Sequence, residues 1–169
     1  MRMLTYKITL CAILCALATT TFIIESLFPP LFLPGARMGI SNVFILVCLI
    51  ILGGKYAYIT LAVKVLLGSL LSGNFFAVVY ALPAGVISLT VEFLLLRFTQ
   101  KVSVIAISVA GAVINTTMQN ITFCLITSTT EYLYFLPYLS LIAIFGGLVV
   151  GFAVYFIIKI IPNKTFSEF

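Results

Sequence analysis

Long apolar runs separated by short polar breaks set the pattern of this chain, and runs of that length predict helices rather than strands. An apolar stretch of about 20 residues crosses the hydrocarbon core of a bilayer as an α-helix, and somewhat fewer suffice where neighbours compensate. Six runs qualify on that basis: residues 7–28, 39–52, 56–71, 75–98, 102–127 and 133–161. Gly53-Gly54, Ser72-Gly73-Asn74 and Pro162 supply stops between or after them. The longest break, Pro29 to Asn42, holds three prolines and two glycines and cannot continue a helix. The pattern therefore predicts an all-α integral membrane protein, a single domain over residues 1–169 built as a bundle of six transmembrane helices.

Composition strengthens that picture. Hydrophobic residues make up 63% of the chain and charged residues 8%, against about 25% charged in soluble domains. There are too few polar residues to cover a soluble exterior. The first run lacks a clear small-residue cleavage site and reads as a retained span. Positive charges then orient the bundle, because cytoplasmic loops retain Lys and Arg. Arg2, Lys7, Lys55, Arg97, Lys101, Lys159 and Lys164 fall on one side and only Arg37 on the other. Both termini of this multi-pass chain are thus expected in the cytoplasm, with the Arg37 loop outside. The net charge of +5 follows this topology and forms no nucleic-acid patch.

Absent residue types exclude whole chemistries. The chain has no aspartate, histidine or tryptophan, and its four carboxylates, Glu25, Glu92, Glu131 and Glu168, are scattered. Clustered Mg²⁺ sites, imidazole catalysis and ordinary zinc sites are not expected, nor any metal or cofactor. Cys11 and Cys15 share a helix face, but with no third ligand they read as small buried hydrophobes. No Walker-type phosphate loop is present, so any ATP-driven step needs a partner.

Polar groups inside a membrane are costly and concentrate attention. Lys64 lies near mid-membrane on the third run, and Asn115 and Gln119 share a face of the fifth, with Thr116 and Asn120 beside them. Glu25, Ser41 and Asn42 flank the long break at its outer side, with Arg37 inside it. Lys64 reads either as the receiver of an anionic ligand group or as half of an ion pair with Glu25 or Glu92. The amides read as pocket lining or as interhelical glue. Glu92 is expected to pair locally with Arg97 or to snorkel, and Tyr132, Tyr134 and Tyr138 to form an interfacial belt. The small residues Ala12 and Ala16, and Gly147 and Gly151, have helix-packing spacing.

The segment Pro34-Gly35-Ala36-Arg37-Met38-Gly39-Ile40-Ser41-Asn42 resembles a Pro-Gly-Ala-basic segment of the membrane family labelled heptaprenyl diphosphate synthase component I, also called the Gx transporter family. Lys64 to Gly73, Ala84 to Ser88, Ser108 to Ala112 with Asn115 and Gln119, and Tyr134 to Pro137 are similar to further family segments. Where the family pattern has a histidine before the helix-five asparagine, this chain has Ile114. The six short helices also resemble, more distantly, the substrate-binding S components of energy-coupling factor transporters. That likeness implies a ligand site on the outer side and a docking face at Ala12 and Ala16 for a transmembrane coupling subunit with ATPases.

Two functions are expected from these readings. In the first, the protein captures a small, anionic molecule from the outer face, with Arg37, Asn42, Lys64, Asn115 and Gln119 as ligand-binding residues and membrane lipid around it. In the second, it is a non-catalytic membrane subunit beside a soluble prenyl diphosphate synthase. Without aspartate for the metal-binding motifs of such synthases, it is not itself expected to be the enzyme.

Overall fold

A computed structural model of the protein describes residues 2–27, 39–98 and 102–160. The helices are α1 (Arg2–Leu27), α2 (Asn42–Leu52), α3 (Gly54–Leu71), α4 (Phe76–Phe98), α5 (Val104–Thr127) and α6 (Leu136–Ile160), with a 3₁₀ turn at Thr130–Phe135 before α6. Five segments are long and apolar enough to cross a membrane: α1, α3, α4, α5, and the 3₁₀ turn with α6. The remaining helix, α2, has 11 residues and is therefore only about 16 Å long.

α2 is apolar all round, and a helix with no polar face has no stable place except the interior. Nine of its residues are buried, from Val43 to Leu52 with Phe44 alone partly covered. It packs against α1, α3 and α6, while α1 packs on α3, α3 on α4, α4 on α5, and α5 on α6. The long helices thus form a wall around the short one. Their outward faces are apolar as well: α6 alone presents Leu141, Phe145, Val149, Phe152 and Phe156 to the surroundings. An apolar exterior of this kind suits lipid and not water.

Two glycine devices shape the bundle. Gly53 adopts φ 90°, a left-handed conformation that favours glycine, and as the single residue between α2 and α3 it reverses the chain. With one residue sufficient for the reversal, α3 begins at Gly54, earlier than the expected Tyr56. On α6, a Cβ at Gly147 or Gly151 would lie 2.8 Å from the Cα of Val109 or Ile105 on α5. The Gly147 and Gly151 spacing therefore serves packing within the bundle.

Candidate functional site

The site is built where α2 begins. Lys64 lies on α3 about 10 Å short of its final residue, Leu71, at 1.5 Å per residue, and is only 5% exposed. Its ammonium donates to Oδ1 of Asn42, the first residue of α2, at 2.7 Å. It also sits 5.7 Å from the ring centroid of Phe22 on α1, a cation–π distance. Gly68, one turn beyond Lys64, makes room for that ring, because a Cβ there would collide with Phe22. A charge is thereby held at the inner end of a half-length helix.

The other side of that helix start is occupied by an acid. Glu25, near the end of α1, accepts hydrogen bonds from the backbone N–H of Ile40 and from the hydroxyl of Ser41, the latter at 3.0 Å. Both donors lie in the turn just before α2, whose first N–H, that of Asn42, bonds the Gly39 carbonyl at 2.9 Å; the partial positive charge of a helix start favours a carboxylate close by. Ser41 is almost fully buried. α1 and α3 thus tether the same tip from two directions, one with a carboxylate and one with an ammonium.

Next to the tip is a recess lined by Asn42, Glu92, Ser108, Asn115 and Thr116, with small and aliphatic residues of α2, α5 and α6 completing the wall. Its free volume is about 20 Å³, room for one water molecule. Glu92 enters it from α4 and is 8% exposed. Its side chain lies against Gly111 of α5, in the space that any larger residue there would fill. Two buried hydroxyls hold this region together: Ser88 donates to the carbonyl of Gly111 at 2.8 Å, and Ser108 to that of Gly147 at 2.9 Å.

This placement corrects the expectation for Glu92, which neither snorkels nor pairs with Arg97. Its face of α4 carries Ala77, Ala81, Ala84, Gly85, Ser88 and Leu89, all buried. Arg97, five positions on, does not return to that stripe. The small-residue stripe running into Glu92 was the available signal that this acid points inward.

The structure joins Asn42 and Lys64 directly and sets Asn115 in the recess wall. Gln119, a turn beyond Asn115, is partly buried and is not part of that wall. Arg37 lies outside the described residues. Ala12 and Ala16 are exposed on the outward face of α1. Tyr134 and Tyr138 are exposed, as an interfacial belt requires, whereas Tyr132 turns its ring edge-on to Phe123, centroids 5.0 Å apart. Sequence reasoning did not foresee a second polar cluster nearby, in which Cys11 and Cys15 of α1 and Cys48 of α2 surround the Thr60 hydroxyl at 3.7, 3.4 and 3.4 Å.

An apolar helical wall, a buried short helix and a charged interior site define a polytopic α-helical membrane protein with a polar core. The family model described as heptaprenyl diphosphate synthase component I matches residues 14–157. The chain belongs to that family. No curated protein and no solved structure shows significant similarity to it.

Proposed function

We propose that this protein is a non-catalytic membrane subunit that binds a small anionic molecule from the outer face. The observation that carries the proposal is the buried Lys64 ammonium at the inward tip of a half-length helix. Broken or short membrane helices whose N-terminal ends point into a bundle interior attract anionic groups, and Lys64 adds a full charge to that partial one. Glu25 already exploits the same tip with a carboxylate of the protein's own. Asn42, Asn115 and Gln119 give hydrogen bonds, and Arg37 meets the ligand from the loop. In this reading the termini are cytoplasmic, the membrane is the bacterial cell membrane, and the exposed face at Ala12 and Ala16 docks a transmembrane coupling subunit with its ATPases, as in S components of energy-coupling factor transporters.

The experiment is native mass spectrometry of the protein extracted gently from its own membrane. A small anionic metabolite released on denaturation, and absent from a folded Lys64→Met variant, is the expected result. An unchanged bound metabolite in that variant ends the role of Lys64. A second reading is favoured by the family description: an accessory membrane subunit of a prenyl diphosphate synthase, the catalytic carboxylates residing in a soluble partner. A polyprenyl lipid or a co-purifying synthase, with no small metabolite, selects it.

A further inference from the structure

Glu92 is the one buried acid of the described interior. It is more than nine-tenths buried and faces the recess. Its carboxylate fills the space beside Gly111 and feels the charge of Lys64. Glu25 differs, because it lies less deep and accepts from the Ile40 N–H and the Ser41 hydroxyl. The charged group that faces Glu92 is Lys64 on α3, whose ammonium is turned to Asn42. The polar groups that line the recess with it are Ser108, Asn115 and Thr116 of α5 and Asn42 of α2, and α6 gives Ala143 and Val150; none of them is charged. Two acids, Glu25 and Glu92, therefore share one buried base among the described residues. An interior of low dielectric makes a carboxylate's charge costly and favours a cation beside it.

We propose that the Glu92 recess takes up one small monovalent cation, a proton or Na⁺. The free space of about 20 Å³ suits an ion no larger than a water molecule and excludes a hydrated or polyatomic one. The groups around it are hard oxygen donors that suit a small cation. The carboxylate of Glu92 supplies the charge, and the side chains of Asn115 and Thr116 supply further oxygens. Ser108 spends its proton on Gly147 and keeps its oxygen lone pairs for the recess. Gly111 is what allows the carboxylate to reach this position. Uptake at Glu92 does not require that an anion be captured at Lys64, so the two proposals stand or fall separately.

The test is thermal unfolding of the purified full-length chain, followed by a maleimide fluorophore that reacts with its four buried cysteines as they become accessible. NaCl is compared with choline chloride at constant ionic strength, from mildly acidic to mildly basic pH. Binding to the native state alone raises the transition temperature. The wild type is expected to gain stability with Na⁺, most strongly where protons are scarce, or with protons alone. Glu92→Gln is expected to lose the response. A Na⁺ effect that competes with protons identifies sodium, and a pH effect indifferent to Na⁺ identifies the proton. Equal responses of wild type and Glu92→Gln to both ions overturn the proposal. Should Glu92→Gln not fold, infrared difference spectra of the wild type and Glu92→Asp replace it. The chain has no aspartate of its own, so the carboxyl introduced at position 92 has a band unlike any other. A carboxyl band that responds to neither ion, or that does not move in Glu92→Asp, is equally fatal.

Discussion

α3 carries two buried polar residues one helical turn apart, Thr60 and Lys64, and their surroundings differ in kind. Thr60 is fully buried, and its hydroxyl donates to the Tyr56 carbonyl at 3.0 Å while three thiols surround it. Every member of that cluster is uncharged. Lys64 is buried too, yet it holds a full charge and a neutral amide partner, Asn42, which together with Glu92 lines a recess with room for a water. Weak dipoles in a filled interior fasten helices to one another. Charge beside space is what a binding site needs, so polarity alone does not mark function in a membrane.

The comparison breaks most severely at Gly111. Gly111→Leu places a side chain where the Glu92 carboxylate sits, and the Ser88 bond to the Gly111 carbonyl resists any shift of α5. Overpacking of this kind costs about 1–3 kcal/mol or more, read as a lowered unfolding temperature. Glu92→Ala in the same chain is expected to recover a large part of the loss, and a strictly additive double variant removes the claimed contact. Lys64→Met comes next. Removing the cation is expected to weaken retention of an anionic ligand by at least roughly tenfold, about 1.4 kcal/mol, with the variant still folded in size-exclusion chromatography. Thr60→Val, which keeps shape and deletes the hydroxyl, is expected to cost only about 0.6 kcal/mol, the average for membrane side-chain hydrogen bonds, and to leave ligand retention unchanged. A large binding defect in Thr60→Val would erase the distinction between the two clusters. The smallest effect on stability belongs to Ala12→Leu with Ala16→Leu on the exposed face of α1. The isolated protein is expected to unfold at an unchanged temperature, while co-purification of a coupling subunit is lost.

The long helices were legible because an apolar run bounded by glycine, proline or charge reports its own ends. Depth was legible too, since the helical rise alone puts Lys64 in the membrane interior and Asn42 at a helix start. What a linear pattern does not carry is rotation between neighbours. α2 is apolar on every side, so nothing in its sequence says which residue faces α1 and α3, and the arrival of Cys48 beside Cys11, Cys15 and Thr60 had no signal. Its confinement to 11 residues was hidden for a related reason: an apolar stretch before Gly53 does not reveal where helical hydrogen bonding begins. Glu92 is different again. Its inward stripe of Ala81, Ala84, Ser88 and Glu92 was on view, but proximity in sequence to Arg97 was the more familiar explanation and it was the wrong one.

The single residue joining α2 to α3 also has a mechanical meaning. Gly53 anchors one end of a rigid rod of about 16 Å, and Asn42 rides on the other end. A tilt of about 10° about that pivot moves Asn42 by about 3 Å, as much as a hydrogen-bond length. The tip is moored by Glu25 on one helix and Lys64 on another. Loosening either mooring is therefore converted into a displacement at the mouth of the Glu92 recess, with the pivot end left where it was.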